Sequence, residues 1–188
     1  MTVLLRALAG AALLLALASA TRAEPVPEAE RIPVDLRRTT LLVRDIERSL
    51  ALYRDALGLK VRFDNKTTRP PEPGDPPDLK RTTHLMILCA NDTFIGCIGL
   101  LERRPLVSDA PVVRQKPTYG QVFLVFNVKD LKDRFDKVSK VPDVVVESPP
   151  DWSRVDAPAA PGTPKVIGSN LWDPDGYFFE MNLLMPQN

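Results

Sequence analysis

Residues 39–65 read TTLLVRDIERSLALYRDALGLKVRFDN, and residues 123–149 read FLVFNVKDLKDRFDKVSKVPDVVVESP. The two stretches carry one pattern twice. Each has an apolar run, a basic residue followed by Asp, a helical stretch, and a second apolar run. Arg44-Asp45 and Lys129-Asp130 stand 85 residues apart. Aspartate at a strand-to-helix junction is a good N-cap, because its carboxylate accepts from the first free N–H groups of the helix. Ile46, Leu50, Tyr53 and Leu57 then predict one apolar helix face. Gly58 stands where a helix needs a left-handed stop.

Outward from these stretches, both halves continue alike. Pro-rich loops follow, TTRPPEPGDPPD at 67–78 and PPDWSRVDAPAAPGTP at 149–164. Two more strands close each half. They are RTTHLMILCA and FIGCIGLLE in the first, with NDT between them, and KVIGSNLWD and YFFEMNLL in the second, with DPDG (173–176) as the turn. The predicted fold class is therefore α+β: two tandem βαβββ modules, 36–104 and 118–185, forming a curled mixed β-sheet cleft with the helices outside. A doubled unit of this size shares one core.

Side-chain parity gives each sheet an oily face and a mixed face. In 122–128, Val122, Leu124, Phe126 and Val128 are predicted to meet the helix, with Gln121, Phe123, Val125 and Asn127 opposite. In 177–184, Tyr177, Phe179, Met181 and Leu183 share one face and Phe178, Glu180, Asn182 and Leu184 the other. In 38–44, Thr39, Leu41 and Val43 oppose Arg38, Thr40, Leu42 and Arg44. The mixed faces either line a ligand cleft or form wet outer surfaces, and parity does not choose between these.

The chain ends add a compartment. Residues 1–23, MTVLLRALAGAALLLALASATRA, have an early Arg6, an apolar run and small residues before Ala23. They read as a secretory signal peptide, too short in its apolar part to span a bilayer comfortably. The expected location is periplasmic or secreted, with no stable membrane anchor after cleavage. Residues 24–35, EPVPEAERIPVD, are Pro-rich and charged and read as a flexible lead-in to a domain over 36–188. Cleavage after Ala23 leaves 23 Lys and Arg against 24 Asp and Glu, a net charge of −1. That balance gives no general attraction to nucleic acid. Cys89 and Cys97 bracket ANDTFIG. An oxidising compartment permits a disulfide between them if the loop is wide, whereas a tight turn at Asn91-Asp92 would set Cys89 opposite Phe94. With a single His in the chain, His84, they make a poor zinc site.

LLVRDIERSLALYRDALGLKV and DPDGYFFEMNLL together resemble the vicinal oxygen chelate superfamily, which includes glyoxalase I, bleomycin- and fosfomycin-resistance proteins and extradiol dioxygenases. The resemblance covers roughly residues 36–185. It implies a divalent metal in the cleft, held from the first and last strands of each module. The first-strand ligand lies seven residues before the junction Asp, which here gives Arg38 and Phe123. The last-strand ligand is a Glu, and its positions here are Gly99 and Glu180. Arginine stays protonated, and Phe and Gly offer no side-chain donor atom, so only Glu180 survives. Metal is therefore not expected as a cofactor, and a divalent metal belongs to the alternative reading.

Three functions compete. The first is a metal-free binder of a small, partly polar organic molecule. Its site is Arg38, Thr40, Gln121, Asn127, Glu180 and Asn182 for polar contact, with Phe123 and Phe178 for apolar contact. An ion pair between Arg38 and Glu180 across the modules is expected at its centre, serving either a ligand or the fold alone. The second, implied by the resemblance, is a lyase, isomerase or dioxygenase with Glu180 as catalytic base. The third is an interaction module using the Pro-rich loops. Trp172 reads as packing, and Trp152 as packing or a lid. The resemblance also implies homodimerisation, which would cover incomplete sheet edges.

Overall fold

The computed structural model describes residues 26–114, 117–155 and 165–185. The leader at 1–23 lies outside the described residues, as does most of the second Pro-rich loop. In the first module β1 (Arg38–Val43) leads into α1 (Ile46–Leu50), which continues as a π-helical turn over Ala51–Ala56. Strands β2 (Lys60–Arg69), β3 (Arg81–Cys89) and β4 (Cys97–Arg104) follow. The second module repeats this as β5 (Leu124–Asn127), α2 (Leu131–Val138), β6 (Val145–Ser148), β7 (Val166–Trp172) and β8 (Phe178–Leu184). Each module makes one open four-stranded sheet, ordered β1-β4-β3-β2 and β5-β8-β7-β6. In both, the first and last strands pair in parallel and the remaining pairs are antiparallel.

The register shows how closely the modules match. Thr40 stands opposite Gly99, and Val125 stands opposite Glu180. Thr40 and Val125 are 85 residues apart, the spacing read from the two Asp residues. Gly99 and Glu180 are thus equivalent positions.

Local chemistry explains the helix ends. Asp45 caps α1 by accepting from the Arg48 N–H at 3.2 Å. Glu102 of β4 adds a second carboxylate there, accepting from the Ile46 N–H at 2.9 Å. Asp130 differs from expectation, because its carboxylate makes no cap bond. Arg134, one turn on, takes it at 2.7 Å. A charge-assisted bond from a guanidinium outcompetes a neutral N–H. Gly58 ends the first helix at φ +81°, and a Cβ there would lie 2.9 Å from Arg134 Nη1. That approach lets Arg134 donate to the carbonyls of Ala56 and Leu57 at 3.2 Å each, tying α2 to the end of the first helix.

Most of the parity reading holds. Leu41, Val43, Leu124, Val128, Phe179 and Met181 join one buried cluster that runs through both modules with Ile46, Leu50 and Tyr53. Val122 does not, and is 55% exposed. The reason is a turn at Thr118–Gln121, with Gly120 at φ +87°, so that β5 begins only at Leu124. Strand β2 runs on to Arg69, past its apolar residues, and is exposed throughout. Its backbone ladder to β3 carries it, from Lys60 opposite Cys89 to Arg69 opposite Arg81.

The modules are joined by the DPDG turn. Asp173, fully buried, accepts from the Tyr53 hydroxyl at 2.9 Å and from the Asp175 and Tyr177 N–H groups at 2.9 and 2.7 Å. Asp175 accepts from the Arg44 N–H at 3.1 Å and from the Ser49 hydroxyl at 3.4 Å. Burial pushes the Asp173 carboxyl up from 3.8 to about 6, against the lowering pull of the Tyr177 N–H and the Tyr53 hydroxyl. Cys89 and Cys97 form a disulfide across β3 and β4, so the wide-loop alternative is the one adopted. With Ile87 it makes a small second apolar cluster on the mixed face.

Two predictions follow from these contacts. A carboxyl whose pKa is raised on folding holds its proton more tightly in the native state. Its stabilisation is complete below about pH 4 and is lost as pH rises through about 6. Asp173→Asn lacks this dependence but keeps the other carboxylates. The advantage of the wild type over Asp173→Asn should therefore shrink between pH 4 and 7, by on the order of 2–3 kcal/mol. Thermal unfolding of both proteins across that range checks this, and a constant difference would place Asp173 in water. Separately, Cys89→Ser with Cys97→Ser should cost about 2.5 kcal/mol by opening a short loop, read as a lower denaturation midpoint.

Candidate functional site

The mixed faces carry the residues marked from the sequence. Arg38 opens β1, and its Nε donates to Thr40 Oγ1 at 3.1 Å. Thr40 in turn occupies the space over Gly99, where an added Cβ would lie 2.8 Å from Thr40 Oγ1. On the second module Glu180 accepts from Asn182 Nδ2 at 3.2 Å. The Asn182 side-chain Oδ1 fills the place a Cβ on Gly168 would need. Phe123 packs edge-on against Phe178 at 5.1 Å, and Phe178 against Trp172 at 4.9 Å. Trp172 is buried, and its indole N–H donates to Glu147 at 2.9 Å, which agrees with a packing role. Trp152 is 42% exposed on a short 3-10 turn.

Three groupings thus form: Arg38 with Thr40, Glu180 with Asn182, and Phe123 with Phe178. The expected ion pair between Arg38 and Glu180 does not form. Each of these side chains finds a partner two residues along its own strand and on its own face, within reach without crossing to the other sheet. Gln121 leaves the site as well. It belongs to the turn before β5, where its Oε1 accepts from the Thr118 N–H at 2.9 Å. Asn127 sits exposed at the end of β5. His84 is drawn to Asp64 of the neighbouring strand at 2.6 Å.

The four positions that the resemblance assigns to metal ligands hold Arg38, Phe123, Gly99 and Glu180. One carboxylate, one guanidinium and two residues without donor atoms do not fit a divalent metal, which needs three or four side-chain ligands. What the four positions offer is a positive group, an acceptor and an aromatic wall.

Between the edge strands β1 and β5 lies a pocket of about 220 Å³. Arg38, Thr39, Gly96 and Cys97 line it from the first module, and Phe123 to Phe126 from the second. At the other end of β1 a second pocket, about 240 Å³, is lined by Arg44, Arg103 and Tyr177. There Arg44 is committed to Asp175 and, at 2.8 Å, to the Ala110 carbonyl. Sequence reading missed Gly96 and Tyr177, which shape these two pockets. Both stand three residues before the Gly99 and Glu180 pair, so that spacing was a usable signal.

The family profile described as Glyoxalase/Bleomycin resistance protein/Dioxygenase superfamily matches residues 35–181. No curated protein matches the sequence. Among solved structures the chain is similar to a glyoxalase family protein from Bacillus cereus. Identity there is 10%, over 85% of this chain and 100% of that one, with a TM-score of 0.59. A mutant glyoxalase I from Zea mays shares 23% identity over 78% of this chain and 45% of its own, with a TM-score of 0.48. An antibiotic binding protein from Streptomyces shares 14% identity over 82% of this chain and 100% of its own, with a TM-score of 0.46. At these identities the Bacillus cereus protein speaks to the fold alone. With the profile match spanning most of the sequence, the chain belongs to the Glyoxalase/Bleomycin resistance protein/Dioxygenase superfamily.

Proposed function

We propose that this is an exported protein that binds a small, partly polar organic molecule between its two modules without a metal. The observation that carries the reading is the donor set. Arginine, phenylalanine and glycine stand at three of four ligand positions, and the fourth, Glu180, is engaged by Asn182. A guanidinium in a partly enclosed site recognises a carboxylate or phosphate by paired hydrogen bonds, a role open to it without metal. The exposed aromatic edge of Phe123 supplies the apolar side. The leader-like sequence at 1–23 and the Cys89–Cys97 disulfide support export, since disulfides persist in oxidising compartments.

Two measurements test this. The chain from Glu24 onward, exposed to Mn, Fe, Co, Ni and Zn and then dialysed, should retain less than about a tenth of an equivalent of metal. One tight equivalent, lost in Glu180→Ala, would overturn the metal-free reading and point to lyase or oxygenase chemistry. A library of small acids, phenols and amides should then contain compounds that raise the melting temperature, since a ligand at about 100 times its Kd adds about 2.7 kcal/mol. Arg38→Ala should remove that shift.

A further inference from the structure

The two edges of the seam between the modules are finished differently. In β5 the Val128 N–H pairs with Asn182 of β8. Alternate residues of a strand direct their backbone groups to alternate sides. Val125 and Asn127 therefore turn their N–H and C=O groups away from β8, towards the seam. On β1 the groups equivalent to those of Asn127 belong to Leu42, and they are satisfied by a side chain from the other module. The Tyr177 hydroxyl accepts from the Leu42 N–H at 3.0 Å and donates to the Leu42 C=O at 3.1 Å. A phenol thus takes the place of a strand partner at the free edge of β1.

The repeat predicts what should close the β5 edge. Gly99 and Glu180 are equivalent by register, so the first-module counterpart of Tyr177 is three residues before Gly99. That residue is Gly96, and a Cβ added to it meets nothing within 4 Å. The pocket of about 220 Å³ opens at this point, against the strand from Phe123 to Phe126. Where one module inserts a tyrosine ring, the other leaves a space. A pocket of that size is below the 300–1,000 Å³ range of drug-sized sites and suits a single ring. The charge lining it is Arg38, whose Nε is held by Thr40 and which pairs with no carboxylate among the described residues.

We propose that the pocket beside Gly96 takes a one-ring aromatic carboxylate, its ring standing in the space left open at Gly96 and its carboxylate on Arg38. This deepens, and rests on, the reading that the inter-module cleft binds small molecules. The phenyl edge of Phe123 and the Val125 backbone form the wall that the ring meets, and the guanidinium sets the anionic end.

Benzoate is the probe, with the chain from Glu24 onward and calorimetry as the readout. Benzoate should bind, and benzamide and acetate should bind at least about tenfold more weakly, as loss of a charge-assisted pair or of ring burial requires. Arg38→Met should weaken benzoate by about tenfold or more, with Arg38→Lys in between. Gly96→Asn narrows the pocket with the side chain that best tolerates a positive φ, and should weaken benzoate without altering far-UV dichroism. If that variant fails to fold, Leu36→Trp, at a lining residue that is 82% exposed, provides the same obstruction. Unchanged affinity in the arginine and blocking variants, or benzamide as tight as benzoate, overturns the proposal. So does failure of benzoate to bind. If library compounds then still raise the melting temperature in an Arg38-dependent way, the binding function stands and only the ligand class falls. If none does, both fall.

Discussion

The fold depends on a buried carboxylate. Asp173 sits at the start of a four-residue turn, out of water, against the hydroxyl of Tyr53 from the other module. Burying a carboxylate is expensive unless its oxygens are bonded, and here three donors converge on it. The raised pKa shows that the bonds do not fully offset the burial. Net stability comes instead from the shared apolar cluster, whose large side chains each contribute about 1.5–3 kcal/mol. What the carboxylates add is position. Asp173 and Asp175 together hold the turn over the start of α1, through Tyr53, Arg44 and Ser49, and so fix where β8 begins relative to β1.

That constraint sets the seam. With the turn anchored, Tyr177 is delivered to the free edge of β1, where its hydroxyl meets both backbone groups of Leu42. The linker reinforces the arrangement. Arg114 reaches the carbonyl of Asp143 at 2.8 Å and that of Asp173 at 3.3 Å, and Val112 lies close over Gly176. Positive φ at Gly176 matters here for space as well as for the turn, since a Cβ would meet Val112 at 2.9 Å. Among the described residues no comparable clasp draws the Gly96 side onto β5, and the pocket opens there.

Much of this frame was legible in the sequence, because it rests on periodicity. The 85-residue spacing of the two Asp residues marked the two equivalent modules, and the Asp45 cap, the Gly58 stop and the DPDG turn follow local chemistry. What escaped were competitions between partners. Asp130 has the sequence of a cap but gives its carboxylate to Arg134. Gln121 and Val122 continue the alternation of β5, yet a turn stabilised by Gly120 claims them. Arg38 and Glu180 carry opposite charges in cleft positions, but each prefers a polar neighbour two residues away on its own strand. Parity tells which face a side chain takes, and it does not tell which of several neighbours on that face wins.

The buried frame and the candidate site use opposite faces of the same strands. Leu41, Phe179 and Met181 face the core, and Thr40, Phe178 and Glu180 alternate with them on the other side. Residues on the mixed face can therefore change without disturbing the packing that makes the fold, which is why fold and chemistry separate in such a scaffold. The differences between the two modules on that face run in one direction. At three equivalent pairs the second module has Tyr177, Glu180 and Phe123 where the first has Gly96, Gly99 and Arg38. Volume and the acid lie with the second module, space and the positive charge with the first. On the proposed reading, a ligand entering the seam on the Gly96 side would meet a site already polarised, with its anionic end drawn to the first module and its ring to the aromatic wall of the second.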